Sequence, residues 1–84
     1  MLESFRCTEK QVEIMKVIFA ATDKGETLTM TDLKARLSYG DKITFVAIWY
    51  SVKYLAGHGL IVKERRGRNA YILPTVLGYK VMRS

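Results

Sequence analysis

Residues 61–73 read IVKERRGRNAYIL, with a single glycine and a cluster of basic side chains set between two runs of strand-forming residues. That pattern predicts an antiparallel hairpin whose turn is Arg66-Gly67-Arg68-Asn69. A lone hairpin is marginal in water, so its apolar residues need other elements to pack on. In 84 residues only one core fits, because a second would bury too little surface to offset its own ordering. Residues 1–84 are therefore read as one domain.

The elements that complete the core precede and follow the hairpin. TEKQ at Thr8 matches a capping box, in which the Thr8 hydroxyl and the Gln11 side chain each satisfy an exposed backbone N–H. The helix it starts places Val12, Met15, Ile18 and Phe19 on one face, widened by Ile14, Val17 and Ala21, with Gly25 as terminator. Thr29 is the expected cap of a short second helix with Asp32 at its third position, Met30, Leu33 and Leu37 buried, and Gly40 ending it. Residues 26–28 suit a brief strand before it.

A third helix is predicted over about residues 44–57, capped by Asp41 or Thr44. Its wheel puts Phe45, Ile48, Val52 and Leu55 on one side, Val46, Tyr50 and Lys53 opposite, Ala47 and Tyr54 beside them, and Trp49 at the core boundary. Beyond the hairpin, Thr75 can cap a short helix through Met82 that is too apolar for a free tail.

Charge is distributed unevenly along this order. Residues 1–42 carry seven Lys/Arg and seven Asp/Glu, whereas residues 43–84 carry seven and one. All of the net charge of +6 thus lies in the second half, and a one-sided positive field suits a polyanion. The hairpin concentrates it, with Glu64 alone against Lys63, Arg65, Arg66 and Arg68. A purely solvated turn would not need that imbalance.

The stretch YLAGHGLIVKERRGRNAYILPTVLG, with Leu55, Gly59, Leu60, Ile61, Tyr71, Leu73, Thr75 and Gly78 at its key positions, resembles the winged helix-turn-helix superfamily over roughly residues 28–78. The likeness is nearest to MarR-like and PadR-like regulators, including compact ones of archaea and their viruses. It implies an α+β winged helix-turn-helix fold: a three-helix core, a basic β-hairpin wing over about residues 61–73 and a short C-terminal helix. It also implies a double-stranded DNA-binding transcription regulator. The third helix would enter the major groove through Thr44, Val46, Ala47, Tyr50, Lys53 and Tyr54. The wing would meet phosphates or the minor groove through Lys63, Arg65, Arg66, Arg68 and Asn69.

Two features depart from that pattern. The outer face of the third helix lacks the Arg, Asn and Gln that make paired hydrogen bonds to bases, so specificity is expected from apolar contacts and DNA deformability. The chain is also shorter than full-size MarR proteins, and no small-molecule effector is inferred. Surplus apolar residues near both ends, Leu2, Phe5, Ile14, Tyr79, Val81 and Met82, are expected at a homodimer interface. An alternative is a protein-interaction module that presents Trp49, Tyr50 and Tyr54 to a protein partner.

One cysteine, Cys7, and one histidine, His58, are too few for a typical structural zinc site, and no metal or cofactor is expected. Cys7 is expected to pack on Val12, with an intersubunit bridge left open, and His58 to sit at a helix C-terminus. No nucleophile paired with a base and no phosphate-cradling glycine loop stands out, so an enzyme is not expected. No run reaches the length of a membrane span and MLESFRCTEK lacks a signal layout, so no membrane partner is expected. The expected location is intracellular, or host cytoplasm for a viral chain.

Overall fold

In a computed structural model that describes residues 8–83, helix α1 (Glu9–Asp23) begins where expected. The Thr8 hydroxyl accepts from the Gln11 N–H at 3.2 Å, and the Gln11 side chain accepts from the Thr8 N–H at 2.9 Å. After the helix Gly25 adopts φ +80°, a conformation open to glycine at little cost. The strand β1 (Leu28–Thr29) is shorter than expected and shifted toward α2 (Met30–Arg36). A second capping box, between Thr29 and Asp32, starts α2. A single 3-10 turn over Gly40–Lys42 then leads to α3 (Phe45–Gly57). Between the two possible caps of α3 the structure selects Thr44, whose hydroxyl accepts from the Ala47 N–H at 3.1 Å. Asp41 lies within the 3-10 turn instead.

The hairpin β2 (Ile61–Arg66) and β3 (Asn69–Pro74) turns at Gly67-Arg68. Gly67 has φ +60° while Arg68 keeps a negative φ, the signs of a type II′ turn, whose twist matches that of paired strands. The sheet is antiparallel in the order β1-β3-β2, with Leu28 opposite Ile72 and Ile61 opposite Pro74. Alternation along the strands sends Leu28, Ile61 and Ile72 to the helices, and each is almost completely buried.

Helix α1 packs against β3, α2, α3 and the C-terminal helix α4 (Val76–Arg83). An element surrounded on that many sides must be apolar over much of its circumference, which explains the breadth of its hydrophobic face. Ile14, expected at a subunit interface, is therefore a core residue with 0% exposure, beside Met15 and Ile18. Tyr79, Val81 and Met82, expected at the same interface, are half-buried and pack on the chain's own core. Tyr79 docks α4 on α1 through the Phe19 ring, with centroids 4.6 Å apart. Leu2, Phe5 and Cys7 lie outside the described residues.

One hydroxyl ties the two ends of the hairpin together. Thr75 Oγ1 donates to the Gly59 carbonyl at 2.6 Å and accepts from the Gly78 N–H at 3.0 Å, so it caps α4 while holding the chain leaving α3. Gly78 itself is buried against the Leu60 carbonyl.

On the opposite side Glu13 fastens α1 to the loop after α2. Its carboxylate accepts from the Ser38 N–H at 2.6 Å and from the Ser38 hydroxyl at 2.8 Å. These two bonds hold the Glu13 pKa below the ordinary glutamate value, with nearby Lys16 adding a smaller push in the same direction. Because the folded pKa is depressed, the stabilisation is fully present above the ordinary glutamate range and is lost as pH falls through the lowered value. Glu13→Gln is expected to flatten the acid limb of a melting-temperature against pH profile. An unchanged acid limb would show that the Ser38 anchor contributes nothing.

Candidate nucleic-acid interface

The hairpin leaves the core after its first residue. From Val62 to Asn69 every side chain is exposed, so the basic segment projects as a finger. Its pairing register divides the charges, because residues opposite each other across an antiparallel pair share a face. Lys63 and Arg65 lie on the face that carries Ile72, while Glu64 and Arg66 lie on the other with Tyr71 and Asn69. Arg68 occupies the turn.

The second face has its own internal network. Arg66 donates to Glu64 through Nη2 at 2.6 Å and Nε at 3.1 Å, and its guanidinium lies 5.5 Å from the Tyr71 ring centroid. Asn69 Nδ2 is 3.5 Å from the Tyr71 hydroxyl, too long for a strong bond. The five expected wing residues therefore do not form one cluster: Lys63, Arg65 and Arg68 present positive charge directly, whereas Arg66 is partly neutralised by Glu64. Exposed pairs of this kind contribute little to stability, about 0–1 kcal/mol, and exchange partners easily.

Helix α3 feeds directly into the finger, packing on β2 and joined to it through residues 58–60. Gly59 makes the corner at φ +76°. The inner side of α3 holds Ile48, Val52 and Leu55 in the core. Its outer side carries Val46, 63% exposed, and Tyr50, 62% exposed, as expected. Lys53 is exposed and its ammonium lies 4.9 Å from the Trp49 ring centroid. The Tyr54 ring lies tilted against His58 with ring centroids 4.5 Å apart. Of the remaining expected contacts, Thr44 has its hydroxyl engaged in the cap, and Ala47 is half-buried against the core.

Three residues of this surface differ from or escape the sequence reading. Phe45, expected in the core, is 49% exposed, and Trp49, expected at its boundary, is 40% exposed. Phe45 lies about 60° around the helix from Ile48, and the first turn of α3 overhangs a shallow groove shared with Thr31, Ala35 and Asp41 of the α2 side. Lys34 of α2, not foreseen as a site residue, reaches the same place. Its Nζ is 3.4 Å from the Gly40 carbonyl and 5.5 Å from the Phe45 ring centroid, which sets a positive charge beside the start of α3. Helical periodicity alone gives no signal for it, because the contact crosses a turn.

Among the described residues no group of three His, Cys, Asp or Glu side chains is arranged to hold a metal, and no helix is long and apolar enough to cross a membrane.

No protein-family model matches the chain, and no curated protein does. Solved structures do. A protein of Archaeoglobus fulgidus superimposes with a TM-score of 0.79 at 19% identity, over 92% of this chain and 80% of that one. MepR, a transcription regulator of the Staphylococcus aureus multidrug efflux pump MepA, gives 0.80 at 23% identity, over 98% of this chain. A mutant MepR bound to an oligodeoxyribonucleotide gives 0.80 at 22% identity, again over 98% of this chain. The chain spans 57% of the length of MepR. A capped helix pair, an outward third helix and a projecting hairpin braced by a short third strand, in a chain that superimposes on these structures over nearly its whole length, make this a winged helix-turn-helix fold.

Proposed function

We propose that the chain is a sequence-specific regulator of transcription that binds double-stranded DNA as a homodimer inside the cell. The observation that carries this reading is the exposed outer face of α3, a helix that packs on β2 at the base of a projecting basic finger, with Lys34 near its start. A helix of this size fits the major groove, and a projecting cationic finger can neutralise phosphates or enter a narrow minor groove. The MepR mutant bound to an oligodeoxyribonucleotide supports the same use of the fold. Lys63, Arg65 and Arg68 are the direct wing contacts, Arg66 contributes after leaving Glu64, and Lys34 and Lys53 meet phosphate at the two ends of α3. Val76 and Leu77, exposed on α4, supply apolar surface for the second subunit, with half-sites about one helical turn apart. We assign no catalysis to this site.

Salt tests the mechanism. Each neutralised phosphate contributes about −0.9 to the slope of log affinity against log salt, so anisotropy titrations on duplex DNA are expected to weaken steeply between low and physiological salt. Affinity indifferent to salt would reject the phosphate contacts, and a monomer in sedimentation at micromolar concentration would reject the dimer. A protein-binding module remains the second reading, favoured by the exposed Trp49, Tyr50 and Tyr54.

A further inference from the structure

The outer face of α3 is chemically unusual for a surface that reads bases. Across Phe45–Gly57 it offers neither a guanidinium nor a side-chain amide, the groups that make paired hydrogen bonds to guanine and adenine edges. Its exposed groups are instead the Val46 methyls, the Trp49 indole and the Tyr50 and Tyr54 rings, with the Phe45 ring at its edge beside α2. The one cation on this face, Lys53, is drawn over the Trp49 ring rather than standing alone above it. Phe45, Val46, Trp49 and Tyr50 all belong to the first two turns, the part of a recognition helix that reaches base edges.

The major groove presents one apolar feature, the C5 methyl of thymine. Resting on the DNA-binding reading above, we infer that α3 selects its site by packing Val46 and its aromatic neighbours on pyrimidine C5 methyl groups. The wing supplies affinity without sequence information, because phosphates are alike along the duplex. The apolar helix face supplies the discrimination. Desolvating that face against a methyl is favourable, whereas seating it on the bare C5–H of uracil or cytosine leaves a gap of one methyl.

The probe pair is a short alternating dA·dT duplex and the same duplex with deoxyuridine in place of thymidine. Removing the methyls is expected to weaken binding about fourfold per methyl contacted, the value of one buried methylene. A second pair works in the opposite sense: an alternating dI·dC duplex is expected to bind more tightly once its cytosines carry a C5 methyl. Agreement of the two pairs ties the effect to the C5 methyl rather than to one base sequence, and the next variant separates direct contact from a change in duplex stiffness. Val46→Ala, at a position too exposed to affect folding, is expected to shrink both ratios while leaving the salt slope unchanged. Equal affinity within both pairs, with salt-dependent binding retained, would overturn methyl reading and leave the DNA-binding proposal standing. Binding to none of the four duplexes would overturn both.

Discussion

Gly78→Ala is expected to be the most destabilising glycine-to-alanine substitution among the described residues. A methyl added at Gly78 would collide with the Leu60 carbonyl oxygen and lie 2.7 Å from Phe19 Cζ. The carbonyl belongs to the backbone at the entrance to β2, and Phe19 is a buried core ring held against Tyr79. Neither neighbour is the free end of a flexible chain, so relief requires that α4 lift from α1 and the hairpin base. Overpacking of this kind costs about 1–3 kcal/mol and more where backbone must move, which is a large share of a small domain's total of about 5–15 kcal/mol. For a chain of this length, a loss of about 3 kcal/mol corresponds to a melting temperature lower by roughly 12–24 °C. Gly57→Ala is the control. Gly57 ends α3 with nothing within 4 Å of the added carbon, so alanine there is expected to be neutral or to stabilise by up to about 1 kcal/mol. Circular-dichroism melts compare the two directly. Equal melting temperatures would mean that α4 does not pack where the structure has it.

Why Gly78 is visible in the sequence, while the exposure of Phe45 and Trp49 is not, follows from the range of the signals involved. Caps are local: Thr8 with Gln11, and Thr29 with Asp32, are fixed by a spacing of three residues and need no knowledge of the rest of the fold. The hairpin turn is equally local, since Gly67 supplies the one positive φ it requires. The spacing of Thr75 and Gly78 belongs to the stretch that resembles winged-helix sequences, and the structure supplies its reason in the Thr75 hydroxyl that bridges Gly59 and Gly78. A helical wheel, by contrast, gives the direction of a side chain but not where the neighbouring element stops. Phe45 points near the core side of α3, yet it meets only a shallow groove beside Thr31, Lys34 and Ala35 of α2 and stays 49% exposed. Ile14 departs from expectation in the opposite sense, because the number of partners around α1 cannot be read from α1 itself. The identities of the wing charges are legible residue by residue. Their division between two faces and the pairing of Arg66 with Glu64 depend on strand register, which one residue of slip would invert.

That register decides how the wing responds to substitution, and the combined change Arg65→Glu, Arg66→Glu and Arg68→Glu is expected to abolish DNA binding at physiological salt. Three favourable phosphate interactions become three repulsions, and the salt slope is expected to fall by about 0.9 for each phosphate no longer neutralised. The fold is expected to survive, since all three positions are exposed and the Arg66–Glu64 pair they disrupt is a surface pair. The single changes are not expected to be equal. Arg65→Ala and Arg68→Ala remove charge that nothing among the described residues offsets. Arg66→Ala removes a guanidinium that must first give up Glu64, so its effect on affinity is expected to be the smallest of the three. Glu64→Gln is expected to move the other way, tightening binding a few-fold by freeing Arg66 and deleting the one carboxylate of the finger. A protein-binding module would tolerate all these changes, because its contacts would lie on the α3 aromatics. If the triple reversal binds duplex DNA as well as the parent chain while melting at the same temperature, the finger is a solvated turn, and the polyanion reading fails with it.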